Sequence, residues 1–252
     1  MPAPTNHFKA RLKSGGTQIG LWMGLAEATT AELCAGAGFD WLVIDGEHGP
    51  NGLRDILAQL RAIGDATHPV VRVRDDSRAE IKQMLDIGAQ TILVPMIESG
   101  AQAREVVLSM LYPPQGVRGI GAALARASAY NAIPDYLVSA NEQVCLLLQV
   151  ESRAGVAALD DILALDGVDG VFVGPADLAA DLGYLGQPGA APVQAVVVDV
   201  LTRIRAAGKA AGILTSDRAL AASYAAMGVA FLAVGSDVGV LGTGLRALRA
   251  AY

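Results

Sequence analysis

Asp45, Glu47 and His48 directly follow the apolar run Trp41-Leu-Val-Ile44, with Gly46 and Gly49 among them. Two carboxylates and an imidazole at the end of a buried strand are costly to desolvate, which marks them as a candidate site. His48 is the one histidine so placed, because His7 lies in the N-terminal segment and His68 precedes Pro69 at a strand's beginning. It suits proton transfer, with Asp45 or Glu47 near enough in sequence to orient it. The plain alternative is a strand end whose charges point into water. Further along, Gln149 and Glu151 alternate with Val150 and so share one side of a strand. Gly174-Pro-Ala-Asp177 ends the next strand. Carboxylates on adjacent strands repel unless a proton or cation lies between them. Oxygen donors, without thiolates or a histidine pair at zinc spacing, favour a hard divalent ion such as Mg2+ or Mn2+. Otherwise Glu151 pairs with an arginine and Asp177 caps the following segment.

Arg72 sits in a strand of valine and proline. Its fork suits a carboxylate or an enolate oxygen, or it holds Glu151 or Asp45 structurally. The backbone of Gly174 to Ala176 offers N–H groups to a small carboxylate, or else makes a tight turn. The four lysines, Lys9, Lys13, Lys82 and Lys209, end no strand of this set. A Schiff-base mechanism therefore lacks its nucleophile, and carbon–carbon bond chemistry here would need a metal electrophile.

These groups need elements to gather them. Strand-length apolar runs alternate with amphipathic stretches: Gln18–Gly24, Trp41–Ile44, Val70–Val73, Thr91–Val94, Val144–Val150, Gly170–Val173, Ala211–Leu214 and Ala230–Val234. Between them, helices are expected near 6–13, 31–37, 52–63, 77–88, 100–111, from 151 to about 165, 192–207 and 216–228, with a last one to the C-terminus. Thr29 or Thr30, Ser77 (with Glu80 at capping-box spacing) and Ser216 are the expected caps. Tyr112 to Asn141 is the one long irregular connection, and such connections are usually functional or disordered. Eight strands, each followed by a helix, predict a single (β/α)8 TIM barrel over residues 1–252, with an N-terminal helix and the long loop before strand five. An open doubly wound sheet is disfavoured because no glycine fingerprint follows strand one. In a barrel the candidate groups all fall on one rim.

Apolar residues make up 52% of the 252-residue chain, ample for one large core, and the formal net charge is −6. With no cluster of basic residues, nucleic acid and anionic membrane are not expected partners. No signal-peptide pattern or membrane-length apolar run is present, so a cytoplasmic protein is expected. Cys34 and Cys145 stand alone and read as packing.

Ile44-Asp-Gly-Glu-His-Gly49, Val71-Arg72, Leu93-Val-Pro-Met96, Tyr112-Pro-Pro114, Arg118-Gly119, Gln149-Val-Glu151 and Val173-Gly-Pro-Ala-Asp177 together resemble the metal-dependent class II pyruvate aldolases. The nearest groups are the 4-hydroxy-2-oxoheptanedioate and 2-keto-3-deoxy-sugar-acid aldolases. The motifs run in one order over essentially the whole chain, including Arg126-Ala-Ser128. The resemblance implies that Glu151 and Asp177 hold a divalent ion (Mg2+, Mn2+ or Co2+) that chelates pyruvate. Arg72 would stabilise the enolate, and His48 with Asp45 would handle protons. Gln149 would support substrate or metal, the Gly174-Pro175-Ala176 backbone would bind the pyruvate carboxylate, and Leu214 with the long loop would face the aldehyde. Asp86 would tie down the His48 region, with Glu47 supporting the same cluster. The resemblance also implies 2-keto acid and aldehyde substrates and a homo-oligomer, a hexamer, with sites bordering a neighbouring subunit. Arg74 departs from the proline that relatives often carry. Two other readings compete: a phosphate-binding barrel isomerase using Gly235-Ser-Asp-Val-Gly239 as an anion loop, and a non-catalytic barrel that binds an organic acid.

Overall fold

Runs of valine, leucine and isoleucine without a polar break become strands covered on both faces. In the computed structural model, which describes residues 1–252, they are β1 (Gln18–Met23), β2 (Trp41–Asp45), β3 (His68–Arg72), β4 (Thr91–Val94), β5 (Cys145–Val150), β6 (Gly170–Val173), β7 (Ala210–Leu214) and β8 (Phe231–Ser236). All pair in parallel and in chain order, and β8 closes on β1. The expected (β/α)8 barrel is therefore what the chain forms. Twelve α-helices surround it: α1 (His7–Ser14), α2 (Ala28–Ala35), α3 (Leu53–Ile63), α4 (Arg78–Asp86), α5 (Gly100–Met110), α6 (Tyr136–Gln143), α7 (Arg153–Ala157), α8 (Leu159–Leu163), α9 (Pro175–Asp181), α10 (Ala191–Ala206), α11 (Arg218–Ala226) and α12 (Asp237–Ala250). None is long and apolar enough to cross a membrane.

Alternation along the strands divides the core into two layers. Outward residues such as Ile44, Val71, Leu148, Val173 and Ile213 join the helices in the larger cluster. Inward residues fill the barrel: Trp22, Trp41, Val43, Val70, Leu93, Cys145, Leu147, Phe172, Phe231 and Ala233. Phe8 of α1 plugs the floor, with its ring centroid 5.9 Å from Trp41 and 6.1 Å from Phe231. Gly20 and Gly212 leave the space these rings occupy, because a Cβ at either would enter the ring of Trp41 or Phe231. His68 stacks on Phe8 at the same floor, 5.1 Å between centroids, and burial holds its pKa down to about 3. It is far from the strand ends that carry the chemistry.

Several expected boundaries move. Ser77 caps α4 as expected, but the side chain of Glu27, not Thr29 or Thr30, caps α2, and Asp217, not Ser216, caps α11. A short helix, α9, begins right after Gly174, so Asp177 sits in a first helical turn. The long connection also carries structure: two single turns at Ala122–Leu124 and Arg126–Ser128, then α6. It runs along the outside of α4, where Arg78 donates to the Val117 carbonyl, Arg118 pairs with Asp86 at 2.7 Å, and Arg126 donates to Ile87 O at 3.1 Å.

Candidate active site

Parallel register places Asp45, the last residue of β2, beside Arg72, the last residue of β3. The guanidinium grips the carboxylate with two bonds, Nε to Oδ1 at 2.9 Å and Nη2 to Oδ2 at 2.6 Å. Trp22 of β1 adds its indole N–H to Oδ2 at 3.0 Å, and its ring lies 4.8 Å from the guanidinium carbon. Burial pushes the Asp45 carboxyl up, but the bonds and charge of Arg72, with the His48 N–H and the Trp22 indole, overcome that and leave it below the ordinary carboxylate range. A paired, fully hydrogen-bonded buried ion is the arrangement that offsets its desolvation.

The Gly-rich turn after β2 folds back over this pair. The backbone N–H groups of Glu47 and His48 donate to Asp45 Oδ1 at 3.0 and 3.1 Å. Asn51 donates to the Asp45 carbonyl at 2.7 Å and accepts from Gln59 at 2.6 Å. Glu47 Oε2 lies 2.7 Å from Arg72 Nη1 and 3.9 Å from His48 Nε2. Burial pushes the Glu47 carboxyl up; Arg72 and His48 oppose this, while the charges of Asp45 and Asp177 add to it. The expected link between His48 and Asp45 is thus made by the His48 backbone and not by its ring. The imidazole itself is mostly exposed at the rim.

Across the barrel mouth Glu151 is buried, with Gln149 donating to Oε2 at 2.6 Å and the Met96 backbone N–H to Oε1 at 3.0 Å. Met96 makes that bond from a left-handed conformation, φ 53°, which is uncommon for a residue with a side chain. Gly174 has no Cβ because Glu151 fills that space. Burial raises the Glu151 carboxyl; Gln149 and Met96 counter it, and the charges of Asp177 and Glu47 raise it further. The side-chain oxygen of Gln149, Oε1, is buried without a partner. Negative charge is therefore in excess at Glu151 and Asp177, all donors are oxygens, and a hard divalent cation fits there. No third histidine, cysteine or acid converges with them, so the protein would supply two ligands and leave the rest to water and substrate.

The remaining candidates take these places. Leu214 ends β7, half-buried, against the inner cluster. The Gly174 N–H is already given to Val150 O at 3.2 Å and Pro175 has none, so of residues 174–176 only Ala176 keeps a donor for a carboxylate. Asp86 ends α4 toward the opposite face and pairs with Arg118, not with the His48 region of its own chain. The long connection runs down the outside of α4, from Val117 at Arg78 to Arg126 at Ile87. Lys9 and Lys209 are tied to carbonyls at the opposite face. Asp237 fills the loop that an anion would need: its carboxylate accepts the N–H groups of Gly24, Leu25 and Val238 at 2.9, 3.1 and 2.7 Å. That removes the basis for the phosphate-binding reading. Trp22, Asn51 and Gln59 were not singled out by sequence, since each is an ordinary residue type until the turns bring it to its partner.

The HpcH/HpaI aldolase/citrate lyase model matches residues 18–243. A hydroxypyruvate/pyruvate aldolase of Agrobacterium fabrum is 56% identical, covering 100% of this chain and 95% of its own. A 4-hydroxy-2-oxo-heptane-1,7-dioate aldolase of Salmonella arizonae is 52% identical over 98% of this chain and 94% of its own. Among solved structures, an HpcH/HpaI aldolase/citrate lyase family protein from Burkholderia cenocepacia superposes with a TM-score of 0.93 at 43% identity, covering 98% of each chain.

Proposed function

The chain belongs to the HpcH/HpaI aldolase/citrate lyase family, and we propose on that premise that it catalyses reversible aldol cleavage of 4-hydroxy-2-keto acids to pyruvate, or a related 2-keto acid, and an aldehyde. The names of its relatives support the reaction class. In this chain the observation that carries it is one rim bearing both a forked cation, Arg72, and an under-compensated acid pair, Glu151 and Asp177.

A divalent ion (Mg2+, Mn2+ or Co2+), when held by Glu151 and Asp177, supplies Lewis acidity toward the substrate's keto oxygen. Arg72 Nη2 keeps one N–H beyond its bond to Asp45, and Nη1 meets Glu47 as an ion pair without a hydrogen bond, so both terminal nitrogens have an N–H left for the charge that develops on that oxygen. In cleavage His48, at the exposed edge, takes the proton of the substrate's 4-hydroxyl as the C3–C4 bond breaks and gives it to the carbon beside the keto group, and in aldol addition the proton moves the other way. Gln149 orients Glu151 and offers its unpartnered oxygen to a donor on the substrate or its water. The Ala176 N–H receives the substrate carboxylate, and Leu214 gives the acceptor aldehyde an apolar wall.

We read the protein as a cytoplasmic homo-oligomer, hexameric as the resemblance implies. Support comes from α12, whose Val238, Leu241, Leu245 and Leu248 are each more than half exposed. The function is tested by incubating pyruvate with a panel of aldehydes. Adduct should form with Mg2+, Mn2+ or Co2+ and vanish with excess chelator; full activity in chelator would exclude the metal-dependent reading.

A further inference from the structure

If His48 moves a proton at the rim, it needs an acid to hold its ring, and Asp45 has no capacity left. Five donors already converge on the Asp45 carboxylate: the Glu47 and His48 backbone N–H groups, the Trp22 indole, and Nε and Nη2 of Arg72. A carboxylate offers about four lone-pair positions. Glu47 is placed differently. Its Oε2 stands between two cationic groups, 2.7 Å from Arg72 Nη1 and 3.9 Å from His48 Nε2. It is the one acid within ion-pair range of His48, and its own side chain is mostly shielded while the imidazole is mostly exposed.

We infer that Glu47, in place of Asp45, is the positioning residue for His48 in the aldol reaction; the inference rests on the function proposed above. When His48 accepts the substrate's proton, two cations, imidazolium and guanidinium, share one edge of the rim. The Glu47 carboxylate offsets their repulsion and draws the ring toward the Arg72 corner, where the keto oxygen would lie. In cleavage the proton passes from the substrate's 4-hydroxyl to the imidazole and on to the carbon beside the keto group, and in aldol addition it runs the other way, so Glu47 itself forms and breaks no bond. Asp45 is left the separate task of fixing Arg72.

The test is steady-state cleavage of 4-hydroxy-2-oxo-heptane-1,7-dioate with saturating Mn2+. Glu47→Gln is compared with wild type, and both again beside His48→Ala. Glu47→Gln should lower kcat about tenfold or more with KM nearly unchanged. It should cost little or nothing beyond His48→Ala, because residues that act as one unit are not additive. Glu47→Asp should recover part of the loss, and it keeps the test open if the Gln variant fails to fold by circular dichroism. Wild-type turnover in Glu47→Gln, or a full further loss in the His48→Ala background, would overturn the assignment. Wild-type turnover in His48→Ala alone would instead remove the proton-transfer reading on which it rests.

Discussion

A buried carboxylate becomes an anchor or a reagent according to the donors around it. Asp45 is an anchor: every oxygen is shared among fixed N–H groups, and its charge is held to lower pH than in an unfolded chain. Because its folded pKa is depressed, the unfolded state binds the proton first as pH falls. The stability it contributes is therefore present above about 4 and lost as pH drops through the folded value. Asp45→Asn should flatten the fall in the urea midpoint between about pH 5 and 3, compared with wild type. It should also lower stability at neutral pH by as much as about 3–5 kcal/mol, since Arg72 is left buried without its counter-ion. Equal pH slopes in the two proteins would contradict this. The placing of Arg72, Glu151, Asp177 and His48 in or just beyond strand ends was legible from sequence, because polar residues there follow or interrupt apolar runs. Trp22 was not: as one more apolar residue of β1, it shows its N–H partner only once β1 lies beside β2. The split between Asp45 and Glu47 was equally hidden, because it depends on a turn that points one backbone and one side chain in different directions.

At the scale of elements, the strands were readable almost to the residue, since burial on both faces leaves no room for polar interruption. The helices were less so. α6 falls inside a Pro- and Gly-punctuated stretch, and α9 is a two-turn helix started by Pro175 at its first position. Caps moved by one to three residues where an acid outcompeted a hydroxyl. α12 is the element that the isolated chain leaves unresolved in energy. Val238, Leu241, Leu245 and Leu248 recur at helical spacing, each more than half exposed. Ile19 and Val234, outward on β1 and β8, are only partly covered, unlike the fully buried outward residues of β4 to β6. A second copy of the chain is the occupant that matches such a face on every molecule. Leu241→Glu with Leu245→Glu should therefore reduce the mass seen by light scattering while circular dichroism stays unchanged. An unchanged mass would rule α12 out of the contact.

Over the whole molecule, barrel closure is what turns scattered residues into a site. Asp45, Arg72, Glu151 and Asp177 are separated by up to 132 positions yet meet at one mouth, because parallel strands all end on the same side. The opposite end is sealed by Phe8, His68, Trp41 and Phe231, so stability and chemistry occupy different faces. In the proposed reaction Glu151 and Asp177 hold an ion that makes the methyl hydrogens of pyruvate labile. The most direct measurement is deuterium uptake into pyruvate from D2O, followed by mass spectrometry, with no aldehyde present. Wild-type protein with Mg2+ or Mn2+ should incorporate deuterium, and neither the chelated protein nor Glu151→Gln should do so above the uncatalysed rate. Uptake at the wild-type rate in excess chelator, or in Glu151→Gln, would contradict the account.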